Sequence, residues 1–192
     1  PIDTNQAINN QGIDNTRSSI DETTQLIQDN FKHSTKLFND EKFKVVQAAN
    51  ELPENLAAQY ENGKNPQGLY DIDSDTSYFV ADSLNADNIK GAVLHETWHR
   101  TVATDQEIQA QLPKLNKQLD DVYRHALRGT GDLNQFYRQA VDRMPKGIPE
   151  EQQLEEFAAY AIEQYTNNPK SLPEKVAQWV RDVIANIRTG LI

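Results

Sequence analysis

His95-Glu96-Thr97-Trp98-His99, set within Ile89-Lys-Gly-Ala-Val-Leu-His-Glu-Thr-Trp-His-Arg-Thr-Val102, is the stretch that decides how this chain is read. Ile89, Ala92, Val93 and Leu94 lead in, Val102 follows at helical spacing, and Asn85 or Asp87 offers a cap. Neither proline nor glycine interrupts Ala92 to Leu112, so the segment predicts a buried helix. On a helix, residues four apart share a face, and the imidazoles of His95 and His99 converge on one point. Glu96 is turned about 100° from His95 and reaches the space beside that point without entering it. A catalytic zinc ion requires this layout: neutral nitrogen ligands, an open position for water, and a carboxylate to take the proton of that water. Two of the four histidines in the chain fall at this spacing. The competing reading is a pair of surface histidines, with Glu96 and Arg100 as an i,i+4 ion pair.

The motif resembles that of the zincin metallopeptidases, whose subgroups differ in the third ligand. A compact metzincin-like site would take Asp105, six residues after His99, but the turning glycine of such sites is replaced by Val102. A cysteine ligand, as in peptide deformylases, is impossible in a chain without cysteine. A di-iron site would need a second Glu-x-x-His, and neither His33 nor His125 has a glutamate three residues before it. The remaining reading is a glutamate from a later helix, as in gluzincins. Glu150-Glu-Gln-Gln-Leu-Glu-Glu-Phe-Ala-Ala-Tyr-Ala161 opens after Pro149 with acidic residues and carries small alanines suited to close helix packing. Glu156 with Ala159-Tyr160 matches the Glu-x-x-Ala pattern of gluzincin second helices. Glu155 with Ala158 matches almost as well, and Glu151 and Asp105 stay open.

Gly68-Leu-Tyr-Asp-Ile-Asp73 and Tyr78-Phe-Val-Ala81 read as two short strands joined by a polar Asp/Ser turn. A strand beside the motif helix is what zincins use to hold an extended substrate backbone. From about residue 68 onward the chain is similar to zincin-type domains embedded in large phage and mobile-element polyproteins. The likeness rests on Ala92-Val-Leu-His-Glu96, the Glu-Glu-Phe-Ala-Ala-Tyr-Ala-Ile-Glu helix, and an amphipathic closing helix with Trp179. It implies a mainly α, minimal zincin-like fold: a helical bundle with a two-strand β-hairpin beside the active-site helix. It also implies zinc on His95, His99 and Glu156.

Only 37% of the residues are hydrophobic and the mean hydropathy is −0.76, so the expected core is thin and helical. A net charge of −10 argues against partners bound through nucleic-acid phosphates or anionic lipid. No apolar run approaches membrane-spanning length and no secretory segment is visible, which points to a soluble protein of undetermined compartment. Starting at Pro1, the chain reads as a mature product or a piece of a larger parent polypeptide. Residues 1–62 read as a polar helical appendage. Ile13, Ile20 and Ile27 mark the stripe of a floppy surface helix, Phe38, Lys42, Val45 and Ala49 a second helix ended by Pro53, and Glu54–Tyr60 a third. Gly63-Lys-Asn-Pro-Gln-Gly68 is the linker, and 63–192 is the catalytic domain. Helices are expected over Gln106–Leu127, perturbed at Pro113, over Leu133–Met144, from Glu150, and around a stripe running from Val176 to Ile187.

The function expected from these features is zinc-dependent endopeptidase action on a protein or peptide, with Glu96 as general base. Context would be a phage, mobile-element or effector protease. Tyr160, one helical turn beyond Glu156, is the first candidate to steady the oxyanion, with His125, Tyr123 and Tyr137 as alternatives. The rival reading is a non-catalytic interaction module of a larger protein that retains a structural or vestigial zinc site.

Overall fold

The structure is a computed structural model, and it describes residues 18–32, 41–60, 66–128, 132–144, 147–172 and 174–191. It is mainly helical with one small sheet, the expected mainly α (α+β) class. The elements are α1 (Ile20–Asn30), β1 (Phe43–Val46), α2 (Glu54–Ala57), β2 (Gly68–Asp71), β3 (Thr76–Val80), α3 (Ile89–Thr104), α4 (Gln106–Arg128), α5 (Asp132–Arg143), α6 (Glu150–Asn167) and α7 (Glu174–Leu191). Single 3-10 turns at Ala49–Glu51, Ala58–Tyr60, Ala81–Ser83 and Pro169–Ser171 join some of them.

The sheet has the order β1-β3-β2. β2 and β3 form the expected antiparallel hairpin, pairing Gly68 with Phe79 and Asp71 with Thr76. The third strand is a correction. Residues 43–46, read as part of a helix from the Phe38, Lys42, Val45 and Ala49 spacing, run as a strand parallel to β3, with Val45 opposite Phe79. Phe-Lys-Val-Val is rich in β-branched and aromatic side chains, which suit a pleated surface better than a helix. The deciding partner lies more than 30 residues away, where local periodicity cannot register it. Phe38 lies outside the described residues.

The N-terminal helix also differs from expectation. Ser19 accepts from the Glu22 amide at 3.1 Å while Glu22 accepts from the Ser19 amide at 2.8 Å, a reciprocal capping box that starts α1 firmly. Ile27 is fully buried with Phe79, Leu84, Ile89, Ala92 and Val93, so α1 is packed rather than floppy. Ile13 lies outside the described residues. The other face of the sheet, through Tyr78, covers Ala49, Leu52 and Leu56.

The largest core joins α3 and α6 to α4, α5 and α7. Phe157, Ala158, Ala159, Ala161 and Ile162 are fully buried, and the alanines bring α6 close against α3. At the far end of that crossing a Cβ on Gly91 would overlap the Asn167 side chain, so glycine permits the approach. Trp98 and Trp179 meet edge to face at 6.1 Å, tying α7 to α3. Trp179 is therefore packing, as its spacing suggested.

Candidate metal centre

Helix α3 carries His95 and His99 on one face, and α6 presents Glu156 to them. The two Nε2 atoms lie 3.2 Å apart. Glu156 places Oε1 3.6 Å from His99 Nε2 and Oε2 3.9 Å from His95 Nε2. Among the described residues, His95, His99 and Glu156 are the group of ligating side chains able to hold a metal ion.

What occupies the other ring nitrogens decides how these atoms present themselves. His95 Nδ1 lies 3.1 Å from Glu163 Oε2, and His99 Nδ1 lies 2.9 Å from Glu155 Oε1. A carboxylate is an acceptor, so each Nδ1 carries the proton. In the neutral rings both Nε2 lone pairs then face each other and a third acceptor, with no hydrogen between them. Three acceptors gathered this closely repel unless a cation joins them, either a metal ion or the proton that a charged His99 carries on Nε2. A tetrahedral zinc ion with bonds of about 2.0–2.1 Å separates its ligand atoms by about 3.3 Å, close to the spacings here. The carboxylates on Nδ1 are the usual outer support of metal-bound histidines. The donor set, two imidazole nitrogens and a carboxylate, could hold a metal ion and is of the kind that zinc accepts.

The electrostatics of the cluster favour positive charge among its carboxylates. Burial opposes a charge on His99, but the Glu155 hydrogen bond and the charges of Glu96, Glu156 and Glu155 outweigh it and raise the ring to about 9. Burial also opposes ionisation of Glu163, yet the His95 hydrogen bond and the Arg143 charge carry its carboxyl below the usual range.

Glu96 is buried beside the histidines, at 6% exposure. Burial pushes its carboxyl above the ordinary range, the histidines pull it back, and Glu156 and Glu163 push it up again. Its stem rests on β2: a Cβ at Gly68 would stand 2.9 Å from Glu96 Cγ and 3.2 Å from Oε1. Arg100 does not pair with it in the i,i+4 sense. Instead its Nε donates to Asp75 Oδ1 at 3.1 Å, in the turn after β2. Tyr70 donates to the same oxygen at 3.1 Å, so that turn is tied to α3 and to its own strand.

The other sequence candidates fall as follows. Asp105 caps α4, accepting from the amides of Glu107 at 2.8 Å and Ile108 at 3.1 Å. Glu155 supports His99 through Nδ1. Tyr160 sets its ring edge-on against His95 at 4.8 Å and donates its hydroxyl to the Arg143 carbonyl at 2.9 Å. Tyr123 sits in the core, edge-on to Phe157 and donating to Gln153 at 3.2 Å. The side chains of Glu151, His125 and Tyr137 lie outside the described residues.

Sequence reading missed Glu163, Gly68, Arg143 and Tyr60. Glu163 had a visible signal, because Glu156, Tyr160 and Glu163 follow one another at i, i+4 and i+7 on one helix face. Tyr60 had none, since it lies in the segment assigned to the appendage. Its hydroxyl is pushed up by burial first, then by the charges of Glu96 and Glu156, which places it within their field.

Compared with protein-family models, with curated proteins and with solved structures, the chain gives no match in any of the three.

Proposed function

We propose that the protein is a zinc-dependent endopeptidase of gluzincin-like design. One observation carries the reading. Both histidines have Nδ1 engaged by a carboxylate and turn Nε2 toward each other and toward Glu156, with a buried carboxylate, Glu96, alongside.

His95, His99 and Glu156 would hold the zinc, which supplies Lewis acidity to a scissile carbonyl and acidifies water at about neutral pH. Glu96 accepts the proton of the attacking water and returns it to the leaving amine nitrogen. Its burial suits this role, because a carboxyl raised above its ordinary range binds a proton more readily and is a stronger base. The substrate backbone lies along β2, which pairs with β3 on one side and abuts Glu96 through Gly68. The oxyanion donor is a tyrosine. Both tyrosines lie in the field of Glu96 and Glu156, but Tyr160 has its hydroxyl committed to the Arg143 carbonyl. We therefore place Tyr60 first and Tyr160 second.

Zinc per chain, measured by elemental mass spectrometry on wild type, Glu156→Ala, Asp105→Ala and Glu96→Gln, tests the site. Zinc near one per chain is expected in all but Glu156→Ala. Cleavage of an unfolded protein such as casein, blocked by chelator, is expected in wild type and lost in Glu96→Gln. Stoichiometric zinc without cleavage of any substrate would favour the interaction-module reading. Full activity in Glu96→Gln would remove the assigned base.

A further inference from the structure

Helix α5 belongs to neither motif, yet its last residue, Arg143, reaches both halves of the site. Arg143 Nη2 donates to Glu163 Oε1 at 2.7 Å, and the other oxygen of Glu163 holds His95 Nδ1. The same guanidinium lies over the Tyr160 ring, 4.5 Å from its centroid. The Arg143 carbonyl accepts the Tyr160 hydroxyl, and the Tyr160 ring closes on His95. His95, Glu163, Arg143 and Tyr160 thus form a closed ring of contacts in which each residue touches the next.

The parts are not equally exchangeable. The Glu163 side chain is 7% exposed and that of Arg143 47% exposed. A buried carboxylate that loses its cation is strongly destabilised in its orientation and charge, whereas a half-exposed arginine side chain is rehydrated easily. The planar fork of arginine can hold the carboxylate with one edge while its face covers the tyrosine ring, which a lysine ammonium cannot do.

We propose that Arg143 is a positioning residue of the metal centre: it keeps Glu163 aimed at His95 Nδ1, so that His95 presents Nε2 to the ion, and it fixes Tyr160 as a wall against that ring. This rests on the metal reading given above. It makes the α4–α5 helical pair, which separates the two motif helices in sequence, a working part of the site. Tyr160 becomes a strut for His95.

The test is zinc affinity, read by competition with a chromophoric chelator on the full chain, for wild type, Arg143→Met, Arg143→Lys, Glu163→Gln and the Arg143→Met/Glu163→Gln double variant. Melting of each metal-free variant is followed in parallel. Loss of an outer-shell partner is expected to weaken zinc about 10–100-fold. Arg143→Met should lose affinity in that range, Arg143→Lys should recover part of it, and the double variant should be no worse than Glu163→Gln alone. In NMR spectra of the zinc forms, the His95 Nδ1–H signal should broaden or shift in Arg143→Met while that of His99 stays. If Arg143→Met does not fold, Arg143→Lys carries the test, with an expected loss of at least about threefold. Wild-type affinity in the arginine variants, or additive losses in the double variant, would overturn the proposal while leaving the metal reading intact. A wild-type chain that takes up no zinc would overturn both.

Discussion

At the scale of single residues, the site depends on atoms that approach each other unusually closely. Gly68 is one case, because any side chain there meets the Glu96 stem. Gly68→Ala is expected to keep zinc stoichiometry but shift the base, lowering kcat on the order of 10²-fold. Unchanged kcat would show that Glu96 has room to move. His99 is a second case. Its ring is raised to about 9, so the metal-free protein holds a proton there at neutral pH that the proposed zinc would have to displace. Calorimetric titration at pH 7.5 in two buffers of different ionisation enthalpy should reveal about one proton released per zinc, with apparent affinity rising about tenfold per pH unit below 9. Heats independent of buffer would contradict this. Tyr60→Phe should lower kcat more than KM, and Tyr160→Phe should do so less; the reverse order would restore Tyr160 as the oxyanion donor.

At the scale of elements, what could be read from the sequence was what depends on local spacing. His95 and His99 share a helix face because they are four apart, and Glu156 stands where an amphipathic helix opening after Pro149 would put it. The β2–β3 hairpin was equally visible, since its turn of Asp and Ser sits between two short strands. The strand at 43–46 was not, because its partner is β3 and a parallel pairing leaves no signature in four residues. Burial of Ile27 was hidden for a similar reason: its neighbours come from the sheet and α3. The packing of α1 has a measurable consequence. Ile27→Ala should cost about 2–5 kcal/mol of stability, as for other fully buried aliphatic side chains. Ile20→Ala, at a position 37% exposed on the same helix, should stay within about 0.5 kcal/mol. Equal effects in urea titrations would mean that α1 does not pack as described.

At the scale of the whole molecule, the site joins the two most intimately packed helices, α3 and α6. An ion held by both should raise the melting temperature by roughly 8–16 °C at a free concentration about 1,000 times Kd. Without the ion, His99 brings its own pH dependence. Its folded pKa is raised above the unfolded value, so its contribution to stability is complete below about 6.5 and is lost as pH rises through about 9. Melting of the metal-free chain should therefore fall across that window, and His99→Gln should flatten the slope. A chain starting at residue 63 would lack β1 and α1 and expose Phe79 and Val93, both fully buried here. It should fail to fold cooperatively; a cooperative, zinc-binding product would make residues 1–62 a separable appendage. No helix among the described residues is long and apolar enough to cross a membrane.

The four carboxylates around the histidines bear on turnover as well as on binding. Glu96, Glu155, Glu156 and Glu163, when ionised, outnumber by one the charges of a divalent ion and the Arg143 guanidinium. On the proposed endopeptidase reading, hydrolysis of a neutral amide in such a pocket would create a new C-terminal carboxylate, which like charge would drive outward. On that reading, product escape would be built into the site. The acid fragment of any substrate should inhibit more weakly than the same fragment capped as its amide, and added salt should narrow the difference.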